Sequence, residues 1–204
     1  MPKVSQPLTS MGHFTAWSMR DPVPDGGIAI NTCAGNDTSD RGSDLDWTWC
    51  NPTNRAIVHH YADVSAVSVE CLWQGTKIRY IGGEPDRSIL WGLWKANKAK
   101  RPIGAWAGDG APLITNPGAA RRAIYIPAFR NLVNHWLSDA EIADRVKRAR
   151  ASNRPIFLRD WDTGRGIDRN GPMSHAWVLA TWLNTGTWPE RDVVVDPVQS
   201  QFFA

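Results

Sequence analysis

The chain has 204 residues, a formal net charge of +3, a hydrophobic fraction of 42% and a charged fraction of 21%. These values are typical of an ordinary globular protein, and the length allows one domain with a sizeable core. They exclude a membrane-spanning chain, because no stretch approaches the necessary apolar length, and so small a charge does not by itself indicate nucleic-acid binding. We predict a flexible arm over residues 1–12, one globular domain over residues 13–204, and a cytoplasmic protein without membrane partners.

Cysteine and tryptophan are the informative residue types in the composition. The three cysteines, Cys33, Cys50 and Cys71, include no C-x-x-C pair, so the sequence predicts reduced thiols and no metal centre. The 12 tryptophans exceed the usual abundance, which indicates either a tryptophan-rich core or a site that stacks planar rings. The mild positive charge is compatible with an anionic small molecule or a nucleotide as ligand, and we predict no cofactor.

The first quarter of the chain predicts short strands and one edge of a pocket. Residues 13–20 are typical of a strand or a short helix, and residues 28–33 of a buried strand. Trp47 and Trp49 alternate with Thr48 as in a strand and follow a polar loop. Loops that carry large rings beside a polar segment often border a pocket, so we expect these two rings to contact the ligand.

The sequence is organised around residues 68–77, Ser-Val-Glu-Cys-Leu-Trp-Gln-Gly-Thr-Lys. At about 100° per residue, a helix places Glu70, Trp73, Gln74 and Lys77 on one stripe with apolar residues on both flanks. An ordinary surface helix has one apolar stripe and a broad charged back, so polar groups held among core residues indicate a pocket wall. The alternatives are that Glu70 and Lys77 are simply exposed, or that they form a half-buried pair that fixes the helix.

The second half of the chain predicts helices with recognisable start signals. Asn116, followed by proline, is typical of the N-cap of a helix that contains Arg121. Residues 138–141, Ser-Asp-Ala-Glu, form a capping box before a charged helix. Residues 172–183 predict a final apolar helix with His175 in its first turn.

A buried strand over residues 155–162 is predicted to carry Asp160 and Asp162 on one side of its carboxyl end. Acidic residues at such a position are commonly part of a site. Together with His175 they offer ligands for a divalent metal, so a metal-dependent phosphohydrolase is one alternative function.

Residues 69–77 resemble the helix motif of the NADAR superfamily, because Glu70, Gln74 and Lys77 keep the spacing of that motif. This resemblance implies an α+β, mostly helical domain with a few short strands that handles ADP-ribose-like or ribosylamine compounds. Some members cleave the bond between a nitrogen and ribose, and Glu70 would then be the acid/base or the carboxylate that stabilises the oxocarbenium ion. A wider pattern is similar to that of an uncharacterised family of bacterial and phage proteins: Ser68-Val-Glu, Trp73-Gln-Gly, Lys77, Ala119, Arg121, Ile124-Tyr-Ile-Pro127, Asp160 and Pro172-Met-Ser-His-Ala176.

N-glycoside cleavage needs a carboxylate beside the sugar and a stacking surface for the base. We therefore predict an N-glycosidase-like enzyme that acts on a nucleotide or an ADP-ribose-like molecule, free or carried on nucleic acid. The predicted catalytic residues are Glu70 and Asp160, and the predicted substrate-binding residues are Trp47, Trp49, Trp73, Gln74, Lys77, Arg121, Asp162 and His175. A non-catalytic protein of phage or plasmid origin that sequesters a nucleotide is a further alternative, since the same pocket would serve it.

Overall fold

The structure is a computed structural model, and it describes residues 13–33, 46–93 and 101–189. The predicted arm over residues 1–12 and the carboxyl-terminal residues 190–204 lie outside the described residues. The domain boundaries given above therefore remain a prediction.

The described chain consists of short strands and helices that occur in groups rather than in strict alternation. The strands are β1 (Phe14–Ser18), β2 (Ile28–Asn31), β3 (His59–Tyr61), β4 (Val64–Ala66), β5 (Lys77–Ile78), β6 (Gly104–Ala105) and β7 (Ile156–Asp160). The helices are α1 (Val69–Gly75), α2 (Pro117–Ala120), α3 (Ile126–Leu137), α4 (Ala140–Arg150) and α5 (His175–Thr185), and a π-helical turn, Arg121–Tyr125, joins α2 to α3. Helices and strands are both present, which confirms the α+β class at this level.

Three of the strands form a parallel sheet in the order β1-β7-β2. Ile156 of β7 pairs with Phe14 of β1 and with Ile28 of β2. The central strand is covered on both faces, since Ile156, Phe157 and Leu158 are at most 1% exposed. Because the three strands run in the same direction, their carboxyl ends meet at one edge of the sheet. That edge carries Asp160, the last residue of β7.

The final helix, α5, lies against this sheet with its first residue at the same edge. Asn184 fixes the helix, because its amide donates to the carbonyl of Phe14 at 2.7 Å and accepts from the Phe14 amide at 2.9 Å. Ser174 is the N-cap, and its hydroxyl accepts from the amide of Trp177. His175 is thereby placed in the first turn, as the sequence predicts.

The capping box predicted at residues 138–141 is wrong in detail. The cap of α4 is Asp139, whose carboxylate accepts from the amides of Glu141 and Ile142. The N-cap therefore lies one residue later than predicted. Ser138 instead donates to the carbonyl of His135 at the end of α3. The cap predicted at Asn116 is confirmed, since its side chain accepts from the amide of Ala119.

A hydrophobic cluster extends through the described residues from Phe14 to Leu183 and includes residues of β1, β7, α1, α3 and α5. Burial of this apolar surface is the main favourable contribution to folding. In the part of the chain that the structure describes, no helix has both the length and the apolar character that crossing a membrane requires.

Candidate functional site

A cleft of about 1270 Å³ opens at the carboxyl edge of the parallel sheet. Pockets for ligands of drug size usually measure about 300–1,000 Å³, so this cleft has room for a nucleotide. Its lining joins residues that are far apart in sequence: Cys33, Arg55, Glu70, Trp73, Gln74, Lys77, Arg101, Arg121, Tyr125, Asp160, Asp162 and His175. Eight of the ten predicted site residues therefore line one cavity, and the two that do not are Trp47 and Trp49.

The first side of the cleft is the α1 wall, which we define as Glu70, Trp73, Gln74 and Lys77. The helix starts where the hydroxyl of Ser68 accepts from the amide of Cys71. The apolar residues of α1 face the core, and all four residues of the wall are only half-buried. The predicted stripe is thus the face that α1 and the residues after it present to the cleft.

A chain of hydrogen bonds runs along the α1 wall. The Gln74 amide donates to Oε1 of Glu70 at 2.7 Å, and the Gln74 carbonyl accepts from Nζ of Lys77 at 2.8 Å. The same Lys77 ammonium lies 4.8 Å from the centre of the Trp73 ring, which is a favourable cation–π distance. Gln74 therefore orients both charged groups at once, and Lys77 acts on Glu70 through this amide.

The opposite side of the cleft is the floor, which we define as Cys33, Asp160 and His175. Asp160 is 4% exposed, and five donors surround its two carboxylate oxygens. These donors are Ser174 Oγ at 2.7 Å, His175 Nδ1 at 2.9 Å, Asp162 N at 3.3 Å, Cys33 Sγ at 3.4 Å and Ala176 N at 3.4 Å. Burial would raise the pKa of Asp160, but the His175 charge and these hydrogen bonds lower it below its ordinary value. Asp160 is consequently an ionised residue that ties β7 to α5.

His175 contacts acceptors through both ring nitrogens. Its Nδ1 faces the Asp160 carboxylate at 2.9 Å, and its Nε2 lies 3.0 Å from the carbonyl oxygen of Thr32. Oγ1 of Thr32 lies 3.0 Å from the same Nε2, but its hydroxyl donates to the carbonyl of Arg159 at 2.7 Å. The carboxylate and the carbonyl can only accept, so both ring nitrogens donate and the ring is an imidazolium. Burial would lower the pKa of His175, but the charge of Asp160 and the hydrogen bond with it raise that pKa well above its ordinary value.

The metal-ligand set that we predicted from Asp160, Asp162 and His175 is not the group that the structure brings together. Asp162 is exposed, and it contacts Asp160 through its backbone amide. Among the described residues, the cluster that could hold a metal ion consists of Cys33, Asp160 and His175, whose ligand atoms all lie within 4.8 Å of one another. Strand β7 ends at Asp160, two residues before Asp162, so the strand alternation that would align the two aspartates does not extend that far.

The stacking role predicted for Trp47 and Trp49 does not match their positions. Trp47 is 0% exposed, Trp49 is 8% exposed, and the two rings lie 5.9 Å apart in the hydrophobic cluster. The segment is a 3-10 turn, Thr48–Cys50, because the Asp46 carboxylate accepts from the Thr48 amide and folds the chain back. The alternation with Thr48 is therefore not that of a strand, and both rings fill the core.

The substrate-binding role predicted for Arg121 also needs correction. Its guanidinium donates to the carbonyl oxygens of Ile167 at 2.6 Å, Arg169 at 2.7 Å and Gly171 at 2.6 Å. Arg121 is 4% exposed and lies in the π-helical turn, which directs it inward. Its planar set of donors thus fixes the loop between β7 and α5, and this loop forms one side of the cleft.

Four further lining residues, Tyr125, Arg55, Arg101 and Cys33, are not among the predicted site residues. Tyr125 lies edge-to-face against Trp73 with 5.8 Å between ring centres, and burial, followed by the charge of Glu70, raises its pKa well above the ordinary value. Arg55 and Arg101 are exposed cations of the cleft lining. Cys33 is the last residue of the strand predicted over residues 28–33, and that position is the one signal that would have identified it.

Fold and site together define an α+β protein with a polar cleft at the carboxyl edge of a short parallel sheet. The chain belongs to the family of unknown function DUF6939, which matches residues 50–179. That range contains the α1 wall together with Asp160 and His175, whereas Cys33 lies before it. Comparisons with curated proteins and with solved structures find no match. The family match does not include the NADAR superfamily, so that resemblance remains a prediction.

Proposed function

We propose that this protein is an N-glycosidase-type hydrolase that cleaves the bond between ribose and nitrogen in a ribosylated nucleotide. One observation carries the proposal: the carboxylate of Glu70 faces a cleft of about 1270 Å³ that also has aromatic and cationic lining residues. A sugar, a planar base and a phosphate each need one of these surfaces.

Glu70 has the position that such chemistry requires of a carboxylate. Its Oε1 is oriented by the Gln74 amide, and within the described part of the chain Oε2 has no hydrogen-bond partner. A carboxylate with one oriented and one available oxygen can stabilise a cationic sugar or accept a proton from attacking water. Glu70 is thus the proposed catalytic residue.

Asp160 was predicted to be catalytic, but we propose a different role for it. With five donors around its carboxylate, it has little capacity left for a substrate. We assign it a positioning role, because it holds the first turn of α5 against β7 at the floor of the cleft.

The remaining contacts would come from the α1 wall and the rim. Trp73 and Tyr125 offer apolar ring surface, although the Lys77 ammonium already covers part of Trp73. Lys77, Arg55 and Arg101 supply positive charge for a phosphate. The proposed catalytic carboxylate of Glu70 and the cations that would contact the phosphate thus line the same cavity.

The experiment is a comparison of Glu70→Gln with wild type on ADP-ribosylated and ribosylamine substrates, with release of free base followed by chromatography. The change keeps the shape of the side chain and removes its charge, so we expect turnover to fall by about 10²–10⁴. Glu84→Gln is the matched control, because Glu84 is exposed and outside the lining of the cleft.

Unchanged turnover in Glu70→Gln would exclude Glu70 as the catalytic carboxylate. Tight binding of ADP-ribose by calorimetry, without any product from wild type, would instead identify a protein that sequesters nucleotides. Both measurements use the same protein preparations, so they distinguish directly between an enzyme and a nucleotide-binding protein.

A further inference from the structure

The floor of the cleft combines a thiol, a carboxylate and an imidazole, and the proposed glycosidase reaction uses none of these groups directly. Sγ of Cys33 lies 3.4 Å from Oδ1 of Asp160, and Nδ1 of His175 lies 2.9 Å from Oδ2 of the same residue. All three residues are at most 7% exposed, yet all three line the cleft. A soft sulfur, a nitrogen and a hard oxygen therefore converge at a place that a small ion can reach.

The three side chains are close enough together to share one tetrahedral zinc ion. Bonds of about 2.0 Å to oxygen and nitrogen and about 2.3 Å to sulfur put neighbouring ligand atoms about 3.3–3.6 Å apart. Nδ1 of His175 lies 2.9 Å from Oδ2 of Asp160, Sγ of Cys33 lies 3.4 Å from Oδ1, and one ligand atom from each residue lies within 4.8 Å of the other two. A rotation of the Asp160 carboxylate and modest shifts of the other two side chains separate the cluster from coordination geometry.

The surroundings of the cluster have the features that support metal ligands. A metal-binding histidine usually donates its second ring N–H to a backbone carbonyl, and Nε2 of His175 lies 3.0 Å from the carbonyl of Thr32. This contact leaves Nδ1 directed at Asp160. Ligating carboxylates are themselves hydrogen-bonded, and Ser174 donates to Oδ2 of Asp160 at 2.7 Å.

We propose that Cys33, Asp160 and His175 bind a thiophilic divalent cation of the Zn²⁺ class, with the fourth coordination position open to the cleft. The ion replaces two protons, one on Sγ of Cys33 and one on Nδ1 of His175, and both protons pass to solvent. Three protein ligands and one open position are the arrangement of catalytic rather than structural zinc sites. The site is separate from the role of Glu70, which is not a ligand.

The test uses metal-stripped full-length protein titrated with Co²⁺, followed by competition with Zn²⁺. We expect a thiolate-to-cobalt charge-transfer band that saturates at one ion per chain and disappears when Zn²⁺ is added. Cys33→Ser should lose this band, and it should weaken Zn²⁺ binding by more than about 100-fold, since changes in the supporting residues alone cost about 10–100-fold. Cys71→Ala is the matched control, because Cys71 is a buried thiol outside the cluster, and it should retain the band.

His175→Gln provides a second measurement and should also lose tight Zn²⁺ binding. If that variant does not fold, which circular dichroism shows, the comparison of Cys33→Ser with wild type decides alone. Absence of a thiolate band in wild type, or an equal band in Cys33→Ser, would overturn the proposal. Because the titration contains no substrate, and Glu70→Gln should bind Co²⁺ as wild type does, its outcome is independent of the glycosidase hypothesis.

Discussion

The α1 wall and the floor of the cleft contain similar polar groups, but the protein holds them in different ways. Among the described residues, the carboxylate of Glu70 accepts one hydrogen bond, from a side chain one helical turn away. The carboxylate of Asp160 accepts from five donors and is buried. A group whose hydrogen bonds are made inside the protein supports the architecture, whereas a half-buried group with an available oxygen can bind a ligand. Substitutions at the floor should therefore reduce stability, and substitutions on the wall should reduce activity.

The largest expected effect on stability is that of Asp160→Asn. The change leaves the buried imidazolium of His175 without its counter-charge, and breaking a buried pair in this way usually costs about 3–5 kcal/mol. Urea denaturation monitored by tryptophan fluorescence measures the free energy of unfolding. Asp162→Asn is the control and should cost less than about 1 kcal/mol, because the Asp162 side chain is exposed. Equal losses in the two variants would contradict the distinction between floor and surface.

His59 contrasts with His175 of the floor, because it is a buried histidine without a charged partner. It is 3% exposed, and neither of its ring nitrogens has a hydrogen-bond partner among the described residues. Burial, followed by the charge of His60, lowers the pKa of His59 to about 4. In the unfolded chain the His59 imidazole takes up a proton near pH 6.5. The contribution of neutral His59 to the free energy of unfolding is therefore fully present above pH 6.5 and is lost as the pH falls toward 4.

We expect this loss to reach at most about 3 kcal/mol between pH 6.5 and pH 4. Urea denaturation at a series of pH values should show a steeper fall for wild type than for His59→Leu, which has no titrating group at this position. His60→Gln serves as control, because His60 is exposed, and it should keep most of the fall. Parallel curves for wild type and His59→Leu would show that a buried, unpartnered histidine is not the source of acid sensitivity.

The smallest expected effect on stability belongs to the α1 wall. Gln74→Met keeps the side-chain volume but removes the hydrogen bonds to Glu70 and Lys77, which should cost less than about 1 kcal/mol at this half-buried position. Turnover should fall about tenfold, because Glu70 is then no longer oriented. A double-mutant cycle with Glu70→Gln checks the cause. If Gln74 acts through Glu70, then adding Gln74→Met to Glu70→Gln should produce no further loss of turnover.

The elements that the sequence predicted well are those whose pattern is local. The stripe of Glu70, Trp73, Gln74 and Lys77 follows from helical periodicity over ten residues, and the structure places it on the cleft. Strand β7 was visible because a strand covered on both faces has a continuous apolar run. His175 was placed in the first turn of a helix by the residues immediately around it.

The errors concern side chains whose partners are distant in sequence or whose backbone is irregular. Arg121 was predicted to bind the substrate, because its three carbonyl partners, more than 45 residues away, cannot be identified from the sequence. Trp47 and Trp49 were predicted to border a pocket because they follow a polar loop, but a 3-10 turn places both rings in the core. In both cases burial decided the role, and burial is a property of the folded chain.

By itself, the sequence determined that a helix presents Glu70 between apolar flanks, because the repeat of a helix depends only on neighbouring residues. Only the tertiary structure decided that this helix faces Asp160 and His175 and that Cys33 completes the floor. The physical reason is that parallel strands bring their carboxyl ends together regardless of their separation in the chain, here 127 positions between Cys33 and Asp160. The pairing of strands therefore assembles the floor, whereas the periodicity of one helix is enough to specify the wall.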